Sequence, residues 1–143
     1  MSVSYNTMAE TDWSDAHALW TASDGVCVHD DLDSLESVTY YLRRNPGMSF
    51  VAREDGKLIG AVLCGTDGRR GYLHHLAVDP DARGKGVGRR LAARCMQALS
   101  EAGIRKCHIF VLEENIPGKE FWRRAGWDRR DDVAIFSRMT GQA

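Results

Sequence analysis

The sequence predicts an α/β chain of the α+β kind, with elements in the order β-α-α-β-β-β-α-β-α-β. Three observations predict it. Apolar residues recur at helical spacing in some stretches, β-branched and aromatic runs lie between them, and turns rich in glycine, proline or aspartate separate the two. At 143 residues the chain fits one domain, 1–143, long enough to bury a sizeable core.

The elements follow in order. Residues 3–8 read as a first strand. Trp13, Ala16, His17 and Trp20 form one face of a helix starting near Asp12, which makes His17 a packed residue rather than a ligand. Asp33 with Glu36 resembles a capping box, opening a helix whose apolar residues are Leu35, Val38, Tyr41 and Leu42. Asn45-Pro46-Gly47 ends it. Residues 49–53 and 57–64 are strands joined at Asp55-Gly56, a hairpin signal, and Asp67-Gly68 marks a turn before a strand over 72–78. A helix follows, with Gly103 suited to a left-handed stop. Residues 106–112 read as a strand, Asn115 caps a helix that tolerates Pro117 early and ends at Gly126, and a last strand covers 133–138.

Between the strand at 72–78 and the next helix lies Arg83-Gly84-Lys85-Gly86-Val87-Gly88, with three glycines in five positions. Asp79-Pro80-Asp81 stops the strand, because proline fixes φ and aspartate bonds the neighbouring backbone. Val87, Leu91, Cys95 and Leu99 then recur at helical spacing, with Arg90, Arg94, Gln97 and Glu101 opposite. Strand, glycine loop and helix make the geometry of an anion site. The first N–H groups of a helix have no internal partner, and its dipole favours negative charge there. Arg83, Lys85 and Arg89 add positive charge. The spacing is neither the dinucleotide fingerprint nor a P-loop.

Net charge is −1, which gives no electrostatic case for nucleic acid. It is uneven: residues 1–50 carry eight acids and two bases, and residues 51–143 twelve acids and seventeen bases. The basic half holds the glycine loop. No apolar run approaches the ~20 residues of a membrane span, and the N-terminus lacks a signal pattern. Cys27, Cys64, Cys95 and Cys107 form no C-x-x-C, and they read as reduced core residues of a cytoplasmic protein. No metal site is expected, because the only close histidines, His74 and His75, should point to opposite faces of a strand.

Arg83-x-x-Gly86-x-Gly88 resembles the acetyl-CoA pyrophosphate loop (Arg/Gln-x-x-Gly-x-Gly/Ala) of the GNAT N-acetyltransferase superfamily. Leu76-Ala77-Val78 and Asp79-Pro80 stand where that family has an apolar triplet and a turn. Downstream, Asn115-Ile-Pro-Gly118-Lys-Glu-Phe121-Trp122-Arg-Arg-Ala-Gly126-Trp127 is similar to the family's Asn-x-x-Ala-x-x-Phe-Tyr-x-x-x-Gly-Phe. The element order is also that of the GNAT fold, a mixed, mostly antiparallel sheet flanked by about four helices.

The resemblance implies acetyl transfer from acetyl-CoA, as co-substrate, to an amine by direct attack in a ternary complex. Backbone groups of Leu76, Ala77 and Val78 would bind the pantetheine arm and the acetyl oxygen. The loop Arg83, Gly84, Lys85, Gly86, Val87, Gly88 and Arg89 would hold the pyrophosphate. Asn115 would bond the pantetheine arm or a nearby water. Trp122 replaces the family's tyrosine acid; its indole can hydrogen-bond the sulfur or wall the tunnel but cannot deliver a proton. Phe110 stands where some members carry a base glutamate.

By strand alternation Tyr72, His74 and Leu76 share one face, and relatives that acetylate aryl-alkyl amines carry two histidines at the positions of Tyr72 and His74. His74 is therefore the expected base, acting through a water, with Tyr72 as acid and His108 in reserve. The acceptor would be a small-molecule amine or a peptide or protein amine. Asp24, Asp30, Asp31 and Asp33, beside His29 in residues 22–33, favour a cationic one. A homodimer is left open. The alternative is a non-catalytic acyl-CoA-binding module.

Overall fold

A computed structural model describes residues 2–141. They fall into two compact units, Met1–Leu112 and Glu113–Ala143. The first contains β1 (Val3–Thr7), α1 (Trp13–Ala22), α2 (Leu35–Arg44), β2 (Phe50–Glu54), β3 (Lys57–Thr66), β4 (Gly71–Val78), α3 (Val87–Glu101) and β5 (Cys107–Ile109). The second contains α4 (Ile116–Arg124).

The strands form one five-stranded sheet in sequence order. β1 to β4 pair antiparallel and β5 pairs parallel to β4, so the sheet is mixed and mostly antiparallel. The β2–β3 hairpin turns at Asp55 and Gly56, with φ of 51° and 80°. Two positive φ values are what a tight turn matching the strand twist requires, which is why Asp-Gly marked it.

The helices of the first unit cover the two faces of the sheet. On one, Ala16 and Trp20 of α1 and Val38 of α2 pack with Val51, Ala61, Leu63 and Ala77. On the other lies α3, whose Leu91, Cys95 and Leu99 are fully buried. Close approach there depends on glycine: a Cβ at Gly60 would stand 2.8 Å from Leu91 Cδ1, and one at Gly71 would stand 2.5 Å from Leu99 Cδ1. Each large apolar side chain so buried contributes ~1.5–3 kcal/mol.

Four expectations change. Asp33 does not cap α2; the cap is Ser34, whose hydroxyl accepts from Ser37 N–H at 3.1 Å. Leu35 is exposed rather than part of the buried face. β5 covers only Cys107–Ile109, because pairing with β4 ends there. Among the described residues no strand forms at 133–138, and Val133, Ile135 and Phe136 are exposed.

The thiols are free, but not all belong to the core: Cys64 and Cys95 are buried, Cys107 is half-buried and Cys27 is exposed. A hydrogen bond with Cys64, then burial, pushes the Cys95 thiol far up, and burial pushes Cys107 up to about 12. Neither Cys95 nor Cys107 is a ready thiolate.

In the second unit Asn115 caps α4, its side chain accepting from Gly118 N–H at 3.0 Å. Trp122 is buried there, its ring 4.9 Å from Trp127 and 5.0 Å from Phe121. No helix among the described residues is long and apolar enough to cross a membrane.

Candidate active site

The site is built around one irregularity in β4. Leu63 pairs with His74 and Ala61 with Ala77, so one intervening residue on β3 faces two on β4, His75 and Leu76. This is a β-bulge. Its extra residue sits at His75, whose φ is +56°, the left-handed region that a non-glycine residue enters only at a cost of ~1–3 kcal/mol.

The bulge resets side-chain alternation. His74 lies edge-on to Tyr41 of α2, with ring centroids 6.2 Å apart, and His75 lies 5.3 Å from Trp20 of α1. Both histidines therefore face the α1/α2 side. Ala77 joins that core as well, so Leu76, its neighbour, turns toward the other face. Two sequence expectations are corrected: His74 and His75 do not point to opposite faces, and Leu76 does not share a face with Tyr72 and His74. Alternation holds only along an unbroken ladder.

The bulge also opens an edge. β4 and β5 are paired only at Gly71↔Cys107, Tyr72↔His108 and Leu73↔Ile109. From His74 to Val78, β4 has no strand on that side among the described residues. Asp79 N–H donates to Ile59 O at 2.8 Å, toward β3, so the polar groups of the preceding Val78 turn to the open edge. Arg83 Nε reaches Val78 O there at 3.3 Å. An open strand edge is a template for any extended chain carrying amides.

The edge leads into the glycine loop. Asp79 closes a turn by accepting from Asp81 N–H at 2.9 Å and pairs with Lys57 at 3.3 Å. Those backbone bonds, and then Lys57, hold its carboxyl below the usual range. Gly84 and Gly86 take φ of +80° and +78°, and a Cβ on either would meet no atom within 4 Å beyond its chain neighbours. Gly86 is the N-cap of α3 and offers no side-chain bond to the first turn. The first N–H groups of this 15-residue helix thus have no side-chain cap, Arg83, Lys85 and Arg89 lie in the same stretch of sequence, and Val87 and Gly88 anchor the turn in the core. Positive φ, room at the backbone and an uncapped helix fit a pyrophosphate.

A family model described as the acetyltransferase (GNAT) family matches residues 7–127. The chain belongs to the GNAT acetyltransferase family. An acetyltransferase of Pectobacterium atrosepticum is 31% identical over 98 residues, 68% of this chain and 70% of that one. The GNAT fold is shared with PaiA N-acetyltransferase of Thermoplasma acidophilum, solved with coenzyme A, at TM-score 0.82 and 19% identity over 93% and 94% of the two chains. AAC(6′)-Iy, solved with a CoA-linked bisubstrate analogue of acetylneamine, overlays at TM-score 0.78 and 19% identity over 97% and 99%.

Within this GNAT chain the expected catalytic residues sit as follows. Tyr72 is half-buried, its ring 5.8 Å from His108 and 6.3 Å from Phe110. His74 is half-buried too; burial, then the adjacent His75, lowers its pKa, while Asp33 opposes the shift. Burial also pushes the Tyr41 phenol upward, so Tyr41 is a neutral wall for His74. Asn115 and Trp122 belong to the second unit, and the contacts given above are internal to it.

The pairing of two residues is not legible in the sequence, which makes Asp33 a cap and an acidic acceptor residue and gives His75 no role. His75 Nε2 lies 2.8 Å from Asp33 Oδ1. Asp33 is only 4% exposed, and its second oxygen accepts from His29 N–H at 2.7 Å. Its carbonyl accepts from Trp13 Nε1 at 2.9 Å. Two adjacent histidines were the only trace of this pair in the sequence. An aspartate one residue before a serine cap hid the other half.

Proposed function

We propose that this acetyltransferase transfers the acetyl group of acetyl-CoA to an amine by direct attack in a ternary complex. The observation that carries the reading is the open β4 edge followed, after one short turn at residues 79–82, by the glycine loop and the uncapped start of α3. Leu76, Ala77 and Val78 hold the pantetheine arm and acetyl oxygen through their backbone groups. Arg83 and the amides from Gly84 to Arg89 hold the pyrophosphate, with the positive end of α3 behind them. For Asn115 and Trp122 the family pattern supports contact with acetyl-CoA.

Acetyl-CoA supplies a thioester carbonyl open to attack. The protein must accept the ammonium proton and offer hydrogen bonds to the carbonyl oxygen as it gains charge. Tyr72 returns a proton to the departing thiolate. The proton acceptor is one of the two histidines at the bulge, which the sequence alone would make His74.

The acceptor is a small-molecule or peptide amine. Asp24, Asp30 and Asp31 are exposed in the segment before α2 and favour a cationic one. Asp33 is not part of that acidic wall, since both its oxygens are engaged inside. Free thiols support a reducing, cytoplasmic setting.

Thiol release from acetyl-CoA across a panel of primary amines, peptides and anionic amino acids tests the reading. Turnover with cationic amines is expected. Binding of acetyl-CoA without thiol release from any acceptor would instead mark a non-catalytic acyl-CoA-binding module.

A further inference from the structure

We propose that His75, and not its neighbour His74, is the catalytic residue that takes the ammonium proton, with Asp33 as the positioning residue that holds its ring. This rests on the acetyl-transfer reading above.

The geometry is that of an oriented base. Asp33, acceptor-only when ionised, takes Nε2–H at 2.8 Å, which leaves Nδ1 as the ring's lone-pair nitrogen. Trp20 Nε1 is the only buried side-chain polar atom without a partner among the described residues. Among the described residues Nδ1 of His75 has no hydrogen-bond partner and is not fully buried, in a side chain 18% exposed. Asp33 is fixed in turn by His29 N–H. Base, orienting carboxylate and a further bond on that carboxylate form the chain that activated catalytic groups use.

Position points the same way. His75 is the bulge residue itself, where β4 has lost β5 and its edge is open, and it holds a left-handed φ of +56°. Backbone strain of that kind concentrates at functional sites. Among the described residues no carboxylate is hydrogen-bonded to His74, which packs edge-on to Tyr41. The groups facing His75 are the Asp33 carboxylate, the His74 imidazole and the non-ionising Trp20 of α1, with the Tyr41 phenol of α2 beyond His74.

The protons balance. One leaves the ammonium nitrogen for Nδ1, giving an imidazolium that Asp33 stabilises. The freed lone pair forms the C–N bond as the thioester C–S bond breaks. Tyr72 gives its proton to the thiolate and regains one from the second proton lost by that nitrogen, and Nδ1 returns the first to solvent. The products are the acetamide, CoA thiol and one proton.

His75→Gln tests this, because its amide still reaches Asp33 as a donor but cannot take a proton. The expected result is a fall in kcat/KM of ~10²-fold or more at neutral pH, within the range of general bases. The loss should shrink for an acceptor amine of low pKa, already neutral at that pH. Calorimetric affinity for acetyl-CoA and thermal stability should stay near wild type. Ring-nitrogen NMR supplies a readout independent of turnover: neutral His75 should carry its proton on Nε2 in wild type and lose that preference in Asp33→Asn, while the acidic limb of kcat/KM should be lost in His75→Gln. His74→Ala should keep that limb. If His75→Gln kept wild-type kcat/KM, or if both variants raised only acceptor KM with the pH profile unmoved, the pair would be a structural pin. A wild type that acetylates no amine would overturn the acetyl-transfer reading itself, a different failure.

Discussion

Asp33 Oδ1 and His75 Nε2 lie 2.8 Å apart, tying the segment before α2 to the bulge of β4. Their side chains are 6% and 18% exposed, so removing one partner leaves the other poorly solvated. Asp33→Ala also orphans His29 N–H, and it should cost about 3 kcal/mol of folding stability. The ion pair of Arg43 with Glu10 is shorter at 2.6 Å but 72% and 49% exposed, so Glu10→Ala should cost under ~1 kcal/mol. Urea melts of the two variants check the contrast; equal losses would contradict it.

His74 makes a pH prediction. Burial, then His75, lowers its folded pKa, so the unfolded chain binds the proton more readily. Its contribution is fully present above the unfolded value of about 6.5 and is lost as pH falls through the lowered folded value. His74→Phe should therefore show a smaller loss of Tm than wild type when pH drops from neutrality into the acidic range. A steeper loss in the variant would reverse the sign and contradict the assignment.

Packing of α3 on the sheet depends on Gly71. Because an added Cβ would meet Leu99 at 2.5 and 2.8 Å, Gly71→Ala should destabilise by ~1–3 kcal/mol through overpacking. Gly71→Ala with Leu99→Ala should recover part of the strain while adding a cavity cost, so the two effects should not add. Chemical denaturation of the double-mutant cycle measures this.

Asp30 and Asp31 are exposed, and in the proposed reading they attract a cationic acceptor. Replacing both with asparagine should raise KM for a cationic amine severalfold, and added salt should raise KM in wild type more than in the variant. KM indifferent to both changes would reduce this wall to a solvated loop.

Much of the fold was legible because its signals are local. Asp55-Gly56 names its own turn, Asn115 its own cap, and the Val87–Leu99 spacing its own buried face. The glycine loop was legible because positive φ restricts residue choice at Gly84 and Gly86. What escaped was non-local. The bulge at His75 depends on how β4 pairs with β3, and once it forms, parity inverts from His75 onward. Asp33 looked like a cap because Asp and Ser serve equally at that position and only burial separates them. The apolar residues at 133–138 read as a strand by composition, yet strand formation needs a pairing partner, which composition does not reveal.

Calorimetric titration of acetyl-CoA into wild type and Gly86→Asp tests the central claim, a pyrophosphate held on the backbone at the start of α3. The account predicts binding to wild type and an affinity at least ~10-fold weaker in the variant, since losing a helix-terminus interaction of ~1–2 kcal/mol is compounded by charge repulsion. Gly86→Ala controls for the strain of a side chain at φ +78° and should weaken binding less. Unchanged affinity in folded Gly86→Asp would contradict the claim.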